Sequence, residues 1–341
     1  MEIGVVGSGS FGTAIATLLS HNNDVLVYAR NQDAVNKLNT EHKIRDVEVP
    51  HNVRGTNDMK EIGERCRLIF PMIPSEFFRS AMGKLSKFIG PGHILIHGTK
   101  GLDVSSAFQD SRSLKEVKRS VFTMTEVIRQ ETSVVRTGAL AGPNLAKEIL
   151  AGQPAATVIA SEFHEVVEAG RAALASKKFI VFGSENMKGI ELAGALKNVV
   201  AIASGVIHGM GFGSNMAALT ITRGLREMIL VAKAVGAEAR PFLGTAGIGD
   251  LIATATSTMS RNYTFGRLLS EGMTVDQIKG HMYEVAEGYR TLKFAQRIIE
   301  TAELDAPMIQ TLYNVVYNGR PLHKAMIELI QNPLSVDVDF L

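Results

Sequence analysis

Seven short apolar runs punctuate the first 185 residues of the chain: Ile3–Val6, Val25–Tyr28, Leu68–Met72, Ile94–His97, Val134–Ala141, Thr157–Ala160 and Phe179–Phe182. Each has the length of a strand buried on both faces, and amphipathic stretches of helical length separate the early ones. That alternation is the rhythm of βαβ units and predicts an open, mostly parallel sheet flanked by helices. From Asn186 onward β-rich runs almost vanish. Ile190, Ala193, Leu196, Val200, Ala203 and Ile207 step by three and four, as one face of a helix does. Gly209, Gly211 and Gly213 break that helix, and Gly236 ends the next, the residue type favoured just past a last helical turn. The pattern predicts an α/β protein in two parts, a sheet domain over 1–184 and an all-helical domain over 185–341.

A length of 341 residues agrees with roughly two domains. Lysine and arginine number 36 against 34 aspartate and glutamate, a net charge of +2 with no long basic block. The field of a dedicated nucleic-acid binder is missing, and small molecules are the expected partners. Cys66 is the single cysteine, which excludes an intrachain disulfide and a cysteine-based zinc site and fits a reducing compartment. Glu2 stands where a signal peptide carries positive charge, and no window holds the roughly 20 uninterrupted apolar residues of a membrane span. These features predict a cytoplasmic protein without membrane insertion. The polar segment Ser105–Ser133 reads as a surface excursion on the first domain.

Candidate chemistry begins at Gly7-Ser8-Gly9-Ser10-Phe11-Gly12, straight after the first strand and opening a segment of helical composition. Gly7, Gly9 and Gly12 permit a tight turn and close backbone approach, and the helix N-terminus offers unpaired N–H groups to a pyrophosphate. The first domain is thus expected to be a Rossmann-type dinucleotide site. At the end of the second strand, where an NAD-preferring protein places an acid for the ribose 2′-hydroxyl, stands Arg30. A guanidinium suits a 2′-phosphate, so NADP(H) is the expected cofactor, with NAD(H) possible. Two later strand ends aim Lys100, in Gly98-Thr99-Lys100-Gly101, and the loop Ala141-Gly142-Pro143-Asn144-Leu145-Ala146 at the cleft. The bland alternative for Lys100 is a surface lysine near a turn.

In the helical domain, Lys197 and Asn198 interrupt a helix that is otherwise Ala, Gly, Leu and Val over most of its surface. A lysine in a partly desolvated cleft can exchange a proton, although one on an apolar helix can also snorkel to water. Asn198 adds a neutral donor and acceptor suited to a hydroxyl. Asp250, in Gly247-Ile248-Gly249-Asp250, is either a turn or helix cap or a site acid. Ser260-Arg261-Asn262 collects hydroxyl, guanidinium and amide donors, a set able to wrap a phosphate. No G-x-S-x-G elbow and no H-E-x-x-H pair occurs, and the nine histidines are scattered.

Taken together the motifs resemble those of the bacterial NAD(P)-dependent glycerol-3-phosphate dehydrogenases. The likeness rests on Gly-Ser-Gly-Ser-Phe-Gly-Thr-Ala at 7–14, Lys-Gly-Leu at 100–102, Ala-Gly-Pro-Asn at 141–144 and Leu-Lys-Asn-Val at 196–199. It continues through Thr-Arg-Gly-Leu at 222–225, Gly-Asp-Leu at 249–251, Ser-Arg-Asn at 260–262 and Glu-Gly-Tyr at 287–289. The resemblance implies a two-domain fold of the 6-phosphogluconate dehydrogenase-like kind and hydride transfer between NAD(P)H and dihydroxyacetone phosphate, with Lys197 as general acid/base held by Asp250. It further implies Ser10, Phe11, Arg30, Ala146, Val285 and Glu287 near the cofactor and Lys100 between cofactor and substrate. Gly142, Asn144, Asp250, Thr254, Ser260, Arg261 and Asn262 would line the substrate, with Arg261 and Asn262 on its phosphate and Arg261 also touching the cofactor. A homodimer that supplies glycerol 3-phosphate to phospholipid synthesis is implied as well. Phe11 stands where the family often has Trp, His208 where it often has an acid, and Ser105–Arg136 departs most from the pattern. The competing readings are a related reductase of a carboxylate substrate, of ketopantoate or 6-phosphogluconate type, and a non-catalytic NADP sensor.

Overall fold

The computed structural model describes residues 2–282 and 286–331, so Val285 lies outside the described residues. The chain divides into two compact units, Met1–Asp103 with Phe122–Met187, and Val104–Val121 with Lys188–Leu341.

The first unit opens with β1 (Glu2–Val6), α1 (Ser10–Leu19), β2 (Asp24–Tyr28), α2 (Gln32–Glu41), the short pair β3 (Lys43–Ile44) and β4 (Val47–Glu48), and β5 (Val53–Thr56). It continues through α3 (Met59–Arg65), β6 (Leu68–Pro71), α4 (Ser75–Leu85), β7 (Ile94–His97) and β8 (Asp103–Val104). After an excursion carrying α5 (Leu114–Ser120), the chain resumes with β9 (Val121–Phe122), α6 (Met124–Glu131), β10 (Arg136–Ala141), α7 (Ala146–Leu150), β11 (Ala155–Ala160), α8 (His164–Leu174) and β12 (Phe179–Ser184). All seven apolar runs are strands. An eighth, β5, escaped the pattern because Val-Arg-Gly-Thr is short and only its ends, Val53 and Thr56, are buried.

The eight long strands form one sheet in the order β12-β11-β10-β7-β6-β1-β2-β5. Every described pairing in it is parallel except β10 with β11, where Ala141 lies opposite Val158. Successive side chains of a strand point to opposite faces, so Val5 and Val6 enter different cores. Ile3, Val5, Ile15, Leu19, Val25 and Phe70 fill one, and Val6, Leu26, Ile69, Phe78, Met82 and Leu95 the other. Complete burial of Ile15 and Leu19 on α1, worth about 1.5–3 kcal/mol each, seats that helix against the sheet. Its N-terminus is thereby held at the carboxyl end of β1, where a ligand of an open α/β sheet binds.

The second unit is helical: α9 (Met187–Gly209), α10 (Ser214–Ala234), α11 (Asp250–Ala255), α12 (Arg261–Ser270), α13 (Val275–His281), α14 (Glu287–Ala302), α15 (Pro307–Asn318) and α16 (Leu322–Gln331). Gly211 and Gly236, with φ of +82° and +88°, take the left-handed backbone that closes the two long helices. Helix α9 is long and apolar enough to cross a membrane, but its apolar window is wholly buried inside the protein. Of the segment Ser105–Ser133, expected on the first domain, the part up to Val121 belongs to this unit and only the part from Phe122 onward to the first. The buried Phe108 and Val117 of the excursion need an apolar surface, and Arg297 on α14 donates to the Gln109 carbonyl at 2.8 Å.

Candidate active site

In the first unit the glycine loop is built by sterics. Gly7 has φ +121°, and a Cβ there would lie 2.5 Å from the Met72 carbonyl oxygen. A Cβ on Gly12 would lie 1.9 Å from the Gly7 carbonyl oxygen. Neither position accepts a side chain. Gly9 differs: nothing lies within 4 Å of its Cβ position, and as N-cap of α1 it supplies no side-chain acceptor. The first turn of α1, from the exposed Ser10 onward, has no acidic residue, so its amides and positive dipole suit a pyrophosphate oxygen. The half-buried Phe11 places its Cε1 2.7 Å from where a Gly98 Cβ would be, which brings its ring to the end of β7. This loop fits a dinucleotide.

Arg30, exposed at the end of β2, has its guanidinium 5.5 Å from the centroid of the Phe77 ring. Phe77 on α4 is 45% exposed, unusual for a phenylalanine, and sequence reading missed it because nothing local links residues 30 and 77. Beyond β7, Thr99 donates to the Ile73 carbonyl at 2.6 Å and Lys100 Nζ to the Gly142 carbonyl at 3.0 Å. Lys100 is thus tied to the next strand-end loop rather than standing as a surface lysine. A Cβ on Gly142 would lie 2.8 Å from the Ala156 carbonyl oxygen, which explains the glycine. The Asn144 amide donates to that carbonyl at 2.8 Å and accepts from Thr157 at 2.9 Å, so β11 anchors it. Ala146 opens α7 on the same loop.

The second unit holds a buried charge cluster. Lys197 is 4% exposed, and its Nζ donates to Asp250 Oδ1 and to Thr254 Oγ1, both at 2.5 Å. Thr254 in turn donates to the Asp250 carbonyl at 2.7 Å. The snorkelling alternative for Lys197 does not occur. An ammonium there has a counter-charge and a hydroxyl acceptor, which a buried cation requires. Asp250 arrives through one wide helical turn, Thr245–Gly249, of the kind often found at functional sites. A Cβ at Gly247 would lie 2.2 Å from the Phe242 carbonyl oxygen, which makes glycine obligatory in that turn.

Helix α12 presents the phosphate-type donors. Ser260 is its N-cap and accepts from the Tyr263 amide at 3.3 Å, so that hydroxyl serves the helix. Arg261, the first helical residue, is exposed. The buried Asn262 accepts at Oδ1 from the Gly288 amide at 2.9 Å, which fixes its amide orientation and assigns the donor role to Nδ2. A Cβ on Gly288 would lie 2.5 Å from the Asn198 carbonyl oxygen. Gly288, adjacent to Glu287 at the start of α14, therefore joins Asn198 and Asn262. It too was missed, although the Glu-Gly-Tyr motif contains it. Helices α9 and α12 touch through backbone: a Cβ on Gly266 would lie 1.9 Å from the Ile202 carbonyl oxygen and one on Gly205 2.0 Å from that of Tyr263. His208, exposed, packs 5.7 Å from the Tyr263 ring.

Comparison with known families identifies the family of the chain. The N-terminal model of NAD-dependent glycerol-3-phosphate dehydrogenase matches residues 2–167 and the C-terminal model residues 186–327. The chain belongs to that family. Glycerol-3-phosphate dehydrogenase (NAD(P)+) of Acinetobacter baylyi is 36% identical, over 100% of this chain and 93% of that one. The enzyme of the same name from Macrococcus caseolyticus is 30% identical over 97% and 98%. The crystal structure of glycerol-3-phosphate dehydrogenase from Coxiella burnetii superposes with a TM-score of 0.87 at 26% identity, covering 97% of this chain and 99% of that one. A ketopantoate reductase from Ralstonia eutropha, at 15% identity and TM-score 0.56 over 96% of this chain and all of its own, shares the fold alone. Membership makes the chain an NAD(P)-dependent oxidoreductase, a glycerol-3-phosphate dehydrogenase by family rather than a ketopantoate-type enzyme.

Proposed function

We propose that this chain interconverts dihydroxyacetone phosphate and sn-glycerol 3-phosphate, with domain 1–184 binding the dinucleotide and domain 185–341 the substrate. The observation that carries the reading is the buried Lys197–Asp250–Thr254 cluster, a proton donor for which a silent cofactor sensor has no use. When bound, the reduced nicotinamide supplies the hydride. Gly7, Gly9, Ser10, Phe11 and Gly12 cradle the pyrophosphate, and Arg30 takes the 2′-phosphate, which favours NADP(H) over NAD(H). Ala146, Arg261, Val285 and Glu287 complete the cofactor contacts. Lys197, as ammonium, stabilises and then protonates the alkoxide that develops on the substrate, while Asp250 and Thr254 hold Nζ in place. Arg261 and Asn262 bind the phosphate, and that remote binding energy orients the ketone. Lys100, Gly142, Asn144, Asn198 and Ser260 line the remainder. The resemblance extends the reading to a cytoplasmic homodimer whose product enters phospholipid synthesis.

Initial rates of NADPH and NADH oxidation with dihydroxyacetone phosphate test it, with Lys197→Ala alongside. Wild type should turn over, and the variant should lose roughly 10²- to 10⁴-fold in kcat, the usual worth of a general acid, while still binding NADPH. Absence of wild-type turnover with either cofactor would sink the reading, and ketopantoate would be the next substrate tried.

A further inference from the structure

The chain leaves the first unit at Asp103 and returns at Phe122, and one side chain holds both points. Arg79 on α4 donates from Nε to Asp103 Oδ2 at 2.8 Å, from Nη1 to Glu131 Oε1 at 2.5 Å and from Nη2 to Gln130 Oε1 at 2.8 Å. Its guanidinium carbon lies 5.5 Å from the Phe122 ring centroid. The Asp103 side chain is 17% exposed and the Glu131 side chain 28%, so two half-buried carboxylates share one cation. A fork with several donors in fixed directions does this more precisely than the single ammonium of a lysine.

Asp103 is three residues beyond Lys100, and glycines at 98 and 101 flank that lysine. Such a backbone is soft, and the four-carbon stem of a lysine adds freedom of its own. The loop is secured at its start by Thr99 on Ile73. At its far end the anchor is Asp103 on Arg79. We propose that Arg79, acting through Asp103, is a positioning residue for Lys100, fixing where its Nζ stands beside the Gly142 carbonyl. The inference rests on the reading of Lys100 as a substrate and cofactor contact.

Five single variants and one double variant decide the matter. Arg79→Met and Asp103→Asn should each lower kcat/KM for dihydroxyacetone phosphate about tenfold, since a displacement well under 1 Å at a positioned group has that effect, mostly through KM. Arg79→Lys should recover part of it. Glu131→Gln removes a partner of the same guanidinium without touching the Lys100 loop, so it should lower the melting temperature and leave kcat/KM at the wild-type value. The double variant Lys100→Met/Asp103→Asn should be no worse than Lys100→Met alone, because a residue that acts through Lys100 has nothing left to position. If Asp103→Asn keeps wild-type kcat/KM while Lys100→Met is impaired, or if the two losses multiply, the inference falls. If Lys100→Met itself is unimpaired, the reading of Lys100 falls and the inference with it. Asp103→Asn changes no volume and keeps the test decisive should Arg79→Met not fold.

Discussion

A lysine among apolar helical residues has two physical fates: it reaches along its helix to water, or it is buried against a counter-charge. At Lys197 the choice is made by Asp250 and Thr254, 53 and 57 positions away, a separation that no local pattern reveals. The residue types were legible in the sequence, but the bond between them was not. The same holds for Arg30, whose place at a strand end could be read while the Phe77 ring beneath it could not. Arg30→Ser should raise KM for NADPH roughly ten- to a hundredfold, the worth of about 1.5–3 kcal/mol of charge-assisted hydrogen bonding, and leave KM for NADH unchanged. Phe77→Ala should act in the same direction by about two- to fivefold, as an exposed cation–π contact of about 0.5–1 kcal/mol allows. Steady-state kinetics with both cofactors measure each, and equal shifts for NADPH and NADH would contradict the assignment. Cys66 is buried, and burial pushes its thiol up to about 12. Little thiolate then exists at neutral pH, so an aromatic disulfide reagent should find no reactive thiol in the native protein and one in denaturant.

Among the elements, the helices show best how distant parts set one another. Glu227 on α10 is completely buried, and its two oxygens accept from the Met308 and Ile309 amides, each at 2.8 Å. These belong to the first turn of α15, whose N-cap Ala306 offers no side-chain acceptor, so a neighbouring helix caps it. Burial raises the Glu227 carboxyl from 4.5 to about 7 despite the two amides, which pull it down. The folded protein therefore binds this proton more tightly than the unfolded chain does. The contribution of Glu227 to stability is complete below about pH 4.5 and is lost as pH rises through about 7. Denaturant midpoints of wild type should fall between these values. Those of Glu227→Gln should follow a flatter course, starting lower at pH 5 by about 1 kcal/mol for the impaired cap. Parallel curves for the two proteins would refute the assignment. Element positions themselves were largely legible, because buried strands and amphipathic helices carry their periods in the chain. The strand β5 was not, since its place at the sheet edge leaves only two residues to bury.

For the whole molecule, the excursion 104–121 matters most. It is bounded on both sides by first-unit residues but buries Phe108 and Val117 within the second unit. A fragment ending at residue 187 would expose both side chains. It should self-associate in gel filtration, whereas the same fragment with 105–120 replaced by a Gly-Ser turn should remain monomeric and enhance NADPH fluorescence. Indistinguishable behaviour of the two fragments would show that α5 is independent of the second unit. The replacement is short because β8 and β9, at the two ends of the excursion, pair side by side. By itself the sequence determined the alternating sheet domain, the helical domain, the glycine loop and the residue types offered to cofactor, proton and phosphate. All of these are written in periodicity, in glycine sterics or in side-chain chemistry. Only the tertiary structure decided that Lys197 is buried on Asp250, that Gly288 orients Asn262, that Phe77 underlies Arg30 and that Arg79 grips Asp103. Each of those is a contact between residues remote in sequence, and such contacts exist only once hydrophobic burial has brought separate elements together.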